Sequence, residues 1–393
     1  MRDAVASGGR RAELRDLVAE LEPLRVRFEL DGVDPRGIDV RFEPQKGPRL
    51  DERGGPAEVV ISGSIGAWLE VLSGDVPYVR QVNVAHGRFS VQGSAVHLSW
   101  LMPVLSEMFS PEWRPAGAIS LRAAPAVGVI SGRYVESSDS QVYLETTGSG
   151  PAVILLHTAG RDARQWHPVM ARLAAKFTLY APDLPGRGRS EPVAGDGGYL
   201  DEVADIASWI RGLADSLGLE SYLIAGCSLG GNLALLLGAS DPRVRGVLAL
   251  QGADCTPTIS VGSLAMMDHP RVSLPHSNIN FSMSLIGKDT DADAREAIRR
   301  GVRTINAPAQ RADLTAYAGC DIRALMPKVS CPVVLFRGED DWIVDEDMVR
   351  ATASRLVNAA EVRVIGAPGV GHFPHVERPE LVAEILCELH GAG

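Results

Sequence analysis

Apolar positions recur along the chain in two successive rhythms. Up to about Phe109, Leu14, Leu17, Val18 and Leu21 repeat at helical spacing, whereas Val26–Leu30 and Ile38–Phe42 alternate as half-buried strands do. The pattern then predicts a strand over Ala57–Ser62, a short apolar helix over Ile65–Leu72, more strand over Val82–Val91, and a helix over Val96–Met108 carrying Trp100, Leu101, Val104, Leu105 and Met108. That order is α+β, not βαβ. Proline and alanine crowd the stretch from Pro111 to Val127, through Pro115 and Pro125, and mark a domain boundary. The expected division is a smaller α+β domain over residues 1–115, a linker over 116–130 and a second domain over 131–393.

From about Ser131 the rhythm changes to short buried strands separated by helices: Ala152–Leu156, Phe177–Ala181, Tyr222–Ala225, Val247–Leu250, Val333–Phe336 and Val362–Ile365. Repetition of that kind predicts an α/β domain, a mainly parallel sheet with helices on both faces. Between Leu250 and Val333 the connection is too long for a simple crossover, and Ile298, Val302 and Ile305 form a helical stripe within it. A helical cap over about 256–318, above the carboxyl edge of the sheet, is expected there. Met266, Met267, Phe281 and Met283 would give it a pliable apolar wall.

Composition narrows the function classes. At 393 residues, with 45% hydrophobic and 22% charged, the chain can bury two cores and is not a disordered or fibrous protein. Lys+Arg 39 against Asp+Glu 49 leaves a net charge of −10, which argues against nucleic acid and against an acidic membrane surface as partners. Cys227, Cys255, Cys320, Cys331 and Cys387 are scattered, with no CxxC pair and no metal-ligand spacing, so a reduced, cytoplasmic protein without a metal is expected. Charges alternating through Met1–Glu22 leave no apolar stretch for export. The uncharged run Ser221–Ser240 has the length of a membrane span. However, it contains Gly226, Gly230, Gly231, Gly238, Ser228 and Asn232, so it reads as a strand, a tight turn and a buried helix, without stable membrane insertion.

The same run carries the chemistry. Gly226-Cys227-Ser228-Leu229-Gly230 is a GxSxG pentapeptide between the strand Tyr222–Ala225 and the apolar run Leu233–Leu237. Small residues flank the serine because the turn that lifts its Oγ above the sheet leaves no room for side chains beside it. The following helix aims its positive end at a developing oxyanion. Cys227 would face the sheet interior as a small hydrophobe. Downstream, Asp340 and Asp341 follow the strand Val333–Phe336, and His372 and His375 follow the last strand, so the order is Ser, Asp, His. A serine hydroxyl is a poor nucleophile at neutral pH; His372 would take its proton, and Asp341 would hold the imidazole in the right tautomer. Upstream, His157-Thr158-Ala159-Gly160 closes a strand in a turn. Its Ala159 N–H, paired with the Leu229 N–H, would form an oxyanion hole, although Thr158 or Gly160 could supply the donor instead. Arg164 and Gln165, with Arg161, could clamp a substrate carboxylate or lie on a solvated helix start.

With these motifs in hand, the second domain resembles the α/β-hydrolase-fold enzymes. Asp183-Leu184-Pro185-Gly186-Arg187-Gly188-Arg189-Ser190 matches that family's DxPGxGxS loop, and Gly371-His372-Phe373-Pro374 with Glu377 and Pro379 matches its terminal histidine motif. The resemblance implies His372 rather than His375 as base and Asp341 as its partner. It also disfavours members with aspartate at the elbow, because Ser228 stands there. The first domain is similar, less specifically, to the sterol-carrier-protein-like lipid-binding family. The matching residues are Val59-Val60-Ile61-Ser62-Gly63-Ser64, the helix with Trp68, Leu69 and Leu72, and Gly87-Arg88-Phe89-Ser90-Val91-Gln92-Gly93. That likeness implies a module for a hydrophobic ligand or for homodimer contacts; Trp68, Trp100, Met102 and Phe109 equally suit a plain core.

The expected function is a serine hydrolase that cleaves an ester, thioester or lactone of a small hydrophobic or aromatic acyl substrate through an acyl-enzyme, without a cofactor. The same triad serves carbon–carbon bond hydrolysis and the acyl transfer or cyclisation of secondary metabolism. From another class, an inert lipid-binding or scaffold protein is the alternative.

Overall fold

A computed structural model describes residues 23–31, 37–43, 47–51, 55–73, 78–82, 88–93, 95–109, 129–137, 140–193, 198–258 and 273–391. The helical repeat expected over Leu14–Leu21, the boundary between Pro111 and Val127, and the methionines 266 and 267 lie outside these residues. Contacts divide the chain into two units: Met1–Ala118 with Ala265–Ser284, and Ile119–Leu264 with Leu285–Gly393. Part of the segment expected as the cap is thus grouped with the first unit.

The first unit contains a five-stranded sheet in the order β3-β2-β1-β4-β5. Its strands are β1 (Leu24–Leu30), β2 (Ile38–Glu43), β3 (Gly47–Leu50), β4 (Val59–Gly63) and β5 (Phe89–Gly93). β1 runs parallel to β4, and the other pairs are antiparallel. Helices α1 (Ile65–Ser73) and α2 (Ala95–Met108) supply Trp68, Val71, Leu101 and Leu105 to a core shared with Val26, Phe28 and Ile61. Phe28, Trp68, Tyr78, Phe89 and Phe109 pack ring against ring in that core. Of the strand expected over Val82–Val91, Val82 closes a helical turn with its N–H on the Tyr78 carbonyl, Phe89–Val91 lie in β5, and 83–87 lie outside the described residues.

The second unit holds an eight-stranded sheet in the order β13-β12-β11-β10-β8-β9-β7-β6. Six strands are parallel: β8 (Ala152–Leu156), β9 (Thr178–Pro182), β10 (Tyr222–Cys227), β11 (Val244–Leu250), β12 (Val333–Gly338) and β13 (Val362–Ala367). An antiparallel hairpin of β6 (Ser131–Ser137) and β7 (Ser140–Thr147) extends one edge, an element the sequence reading passes over. Its signal in the sequence was the alternation of apolar Val142 and Leu144 with Gln141, Tyr143 and Glu145.

Alternation along the parallel strands sends side chains into two cores. Ile154, Leu156 and Ile224 point to one, beside α4 (Val203–Ser216) and α5 (Leu229–Ser240). Val153, Leu155, Leu223 and Ala225 point to the other, beside α3 (His167–Leu173) and α9 (Pro379–Gly391). Between β11 and β12 run α6 (Ala292–Val302) and α7 (Ala307–Ala318), and α8 (Glu346–Arg355) follows β12. Ile298 and Val302 are buried on α6, whereas Ile305 falls in the turn beyond it. Among the described residues no helix is long and apolar enough to cross a membrane.

Candidate functional site

Ser228 alone turns the chain from β10 into α5, with φ 57° and ψ −119°. Such a backbone costs a residue with a Cβ about 1–3 kcal/mol, so the surroundings must enforce it. They do so by contact. A Cβ on Gly226 would lie 2.0 Å from the Gly230 carbonyl oxygen, and one on Gly230 would lie 2.4 Å from the Leu156 oxygen. Only glycine lets the helix start press against the ends of β10 and β8. The Ser228 N–H donates to the Leu250 carbonyl at 2.8 Å, which ties the elbow to β11.

His372 and Asp341 meet at the same rim. The imidazole Nδ1 lies 2.7 Å from Asp341 Oδ2, and both side chains are buried. Asp341 Oδ1 accepts the Ile343 N–H at 2.9 Å, so each carboxylate oxygen has one fixed partner. Neighbouring Asp340 turns elsewhere, accepting the Lys288 N–H at 2.8 Å. The loop carrying His372 is drawn tight by Glu377, whose carboxylate accepts the Gly371 and Phe373 N–H groups on either side of the histidine at 2.9 Å each. The same carboxylate accepts the Gly287 N–H and the Thr290 hydroxyl, at 2.8 and 2.6 Å. Gln251, at the left-handed φ of 48°, donates through Nε2 to the Gly338 and Gly371 carbonyls and so links the aspartate and histidine loops.

Cys227 places the elbow beside that loop, because its Sγ donates to the His372 carbonyl at 3.1 Å. Burial, then the nearby charges of Asp341 and Glu377, pushes its thiol far up, so it stays protonated. The expected apolar role of Cys227 is therefore joined by a polar one. His375 is fully buried against the Trp166 ring, 4.6 Å between centroids, and neither of its nitrogens has a hydrogen-bond partner among the described residues. Burial, then the charges of His372 and His157, pushes it down to about 3.

In the turn after β8 three successive N–H groups have separate fates. Thr158 N–H donates to Gln165 Oε1 at 3.1 Å, and Gly160 N–H donates to Asp313 Oδ2 at 2.6 Å. No acceptor among the described residues takes the Ala159 N–H. The Leu229 N–H, in the first turn of α5, belongs to the donors that a helix leaves without an internal acceptor. Gln165 thus braces Thr158 through its Oε1, and Arg164 lies on Asp162 and the Thr304 hydroxyl through its Nε and one terminal nitrogen. Arg161 is buried, 5.9 Å over the Phe373 ring, and burial lowers its guanidinium to about 10.

The DxPGxGxS segment is held by Asp183, which accepts the Ala163 and Arg189 N–H groups at 2.8 Å each. His157 joins this segment to the turn after β8, accepting the Leu184 N–H at Nε2 and lying 2.8 Å from the Thr158 carbonyl through Nδ1. Gln251, Asp313 and Tyr317 are absent from the sequence reading. Tyr317 is buried with its hydroxyl unpartnered among the described residues; burial, then the charges of Asp341, Cys320 and Cys227, raises it well above the usual phenol range. Among the described residues no group of three or more His, Cys, Asp or Glu could hold a metal ion.

Residues 153–385, more than half of the chain, match the Alpha/beta hydrolase family. The chain belongs to that family. Among relatives of this hydrolase, the pimeloyl-[acyl-carrier protein] methyl ester esterase of Nitrosomonas europaea is 29% identical over 255 residues, covering 61% of this chain and 96% of that one. The enol-lactonase from Burkholderia xenovorans LB400 superposes with a TM-score of 0.58 at 20% identity, covering 66% of this chain and 100% of that one. An esterase from Thermogutta terrifontis gives 0.58 at 22% identity, covering 66% and 99%. At such identities the two structures share the hydrolase's fold.

Proposed function

We propose that the hydrolase cleaves an ester, thioester or lactone with a small apolar or aromatic acyl part, using Ser228 as nucleophile, His372 as base and Asp341 as its orienting partner. The observation that carries this reading is the 2.7 Å contact between His372 Nδ1 and Asp341 Oδ2 beside a serine elbow. With Nδ1–H bonded to the carboxylate, Nε2 is the basic nitrogen. It takes the Ser228 proton as Oγ adds to the acyl carbon, and the Ala159 and Leu229 N–H groups receive the oxyanion. The proton passes to the leaving oxygen or sulfur as its bond to carbon breaks. Water, deprotonated by the same imidazole, then releases the acid and restores the serine. The relatedness to the Nitrosomonas methyl ester esterase supports an ester as the scissile group.

The test is labelling with a fluorophosphonate, together with turnover of short p-nitrophenyl esters. Stoichiometric labelling that disappears in Ser228→Ala, with an unchanged melting temperature, is expected. A Ser228→Ala protein that keeps near-native turnover removes the nucleophile from this account. For the first unit we propose the sterol-carrier-like role as a holder of an apolar ligand, supported by its sheet order and its two covering helices. Failure of a fluorescent fatty acid to bind the full chain at micromolar concentration overturns that role.

A further inference from the structure

The buried carboxylate of Asp313, on α7, sits where the turn after β8 meets the Asp183–Ser190 loop. It is fully enclosed, as is its partner Arg187. Oδ1 accepts from Arg187 Nε at 3.0 Å and from the guanidinium NH2 at 2.6 Å, while Oδ2 accepts the Gly160 N–H at 2.6 Å. Arg187 reaches on to the Pro185 and Leu200 carbonyls, the latter at 2.9 Å, so each of its three guanidinium nitrogens is engaged. We infer that Asp313 is a positioning residue for the oxyanion hole, and that Arg187 is there to neutralise it.

The argument begins with the peptide units around Ala159. An oxyanion donor works only if its N–H points where the charge develops, and a misplacement near 1 Å costs about 100-fold. The Ala159 N–H belongs to the peptide between Thr158 and Ala159, and the Gly160 N–H to the next one. Gly160, at φ 67°, is free to rotate into several conformations. Gln165 fixes the peptide on one side and Asp313 the one on the other, so the middle N–H cannot turn away without breaking a bond to a side chain. A charged acceptor holds more firmly than a neutral one. A bare carboxylate so close to a developing anion would oppose it, and the fork of Arg187 cancels that field.

Because α7 belongs to the insertion between β11 and β12, the same carboxylate makes the seating of that insertion a condition of a formed oxyanion hole. This role rests on the hydrolytic reading above, and its test separates the two. The experiment compares wild type, Asp313→Ala and Asp313→Asn in p-nitrophenyl ester kinetics and in inhibition by an alkyl boronic acid, which becomes a tetrahedral anion on the serine.

For Asp313→Ala, kcat and boronate affinity are expected to fall by about 10- to 100-fold, while KM moves by less than about threefold. Asp313→Asn, whose amide oxygen can still accept the Gly160 N–H, should recover most of the loss. A purely structural role would lower the melting temperature and shift KM and boronate affinity together, and that result overturns the inference. So does an Asp313→Ala protein with kcat and boronate affinity within about twofold of wild type. If Asp313→Ala does not fold, Asp313→Asn decides alone: wild-type-like KM with any loss confined to kcat and boronate affinity supports the role, and a parallel shift of all three rejects it. A wild-type chain inert to both ester and boronate removes the hydrolytic reading itself, and this role with it.

Discussion

Asp341 divides its work between two oxygens, one for the His372 imidazole and one for the Ile343 N–H. Asparagine would keep the second bond but could present an N–H to Nδ1, which reverses the tautomer and leaves Nε2 without its lone pair. Asp341→Asn is therefore expected to lower kcat by about 10³–10⁴ with the fold intact. Asp340→Asn, whose side-chain partner among the described residues is Lys288, should change kcat by less than about threefold. Steady-state kinetics on the two variants decides which aspartate serves. Two adjacent aspartates in a turn look alike by spacing, and only the family resemblance favours Asp341; in the structure their partners separate them, His372 for Asp341 and Lys288 for Asp340. The oxyanion segment has the same character. The sequence favours Ala159 as donor but leaves Thr158 and Gly160 open, because a one-residue shift is invisible there; Gln165 and Asp313, which take the N–H groups of those two alternatives, are partners that no local pattern shows.

At the scale of elements, the histidine loop and the insertion between β11 and β12 share Glu377. Its carboxylate gathers four donors, from Gly287, Thr290, Gly371 and Phe373. Replacing it by alanine leaves buried N–H groups unanswered, each costing roughly 1–3 kcal/mol, so Glu377→Ala should lose at least about 3 kcal/mol in urea unfolding. Asp291 caps α6 by accepting the Ala294 N–H at 2.8 Å, and its alanine variant should lose only about 1 kcal/mol. Equal losses would mean that Glu377 is no tether. The sequence marks Glu377 as part of a motif, yet its partners at 287 and 290 follow no periodic pattern. Parallel strands, by contrast, declare themselves as apolar runs because both faces are covered. The β6–β7 hairpin has one exposed strand and hence a fainter signature.

Across the whole molecule, acid should act first through His375. Its proton affinity is far lower folded, at about 3, than in the unfolded chain, near the ordinary 6.5, so the unfolded state binds the proton more readily. The stability that depends on a neutral imidazole is fully present above about pH 6.5 and drains away as pH falls toward 3, at up to about 1.4 kcal/mol per pH unit. His375→Phe keeps an aromatic ring against Trp166 and removes the titration, so its urea midpoint should fall less than that of wild type between pH 7 and 5. Parallel curves would exclude His375 as the acid-sensitive group. The backbone at Ser228 points the other way. Glycine there relaxes the φ of 57°, and Ser228→Gly should outlast the parent chain in a thermal melt by about 1 kcal/mol. A lineage selected for endurance alone would then trade the hydroxymethyl group at the elbow for a bare hydrogen, and durability would rise at the expense of the proposed chemistry.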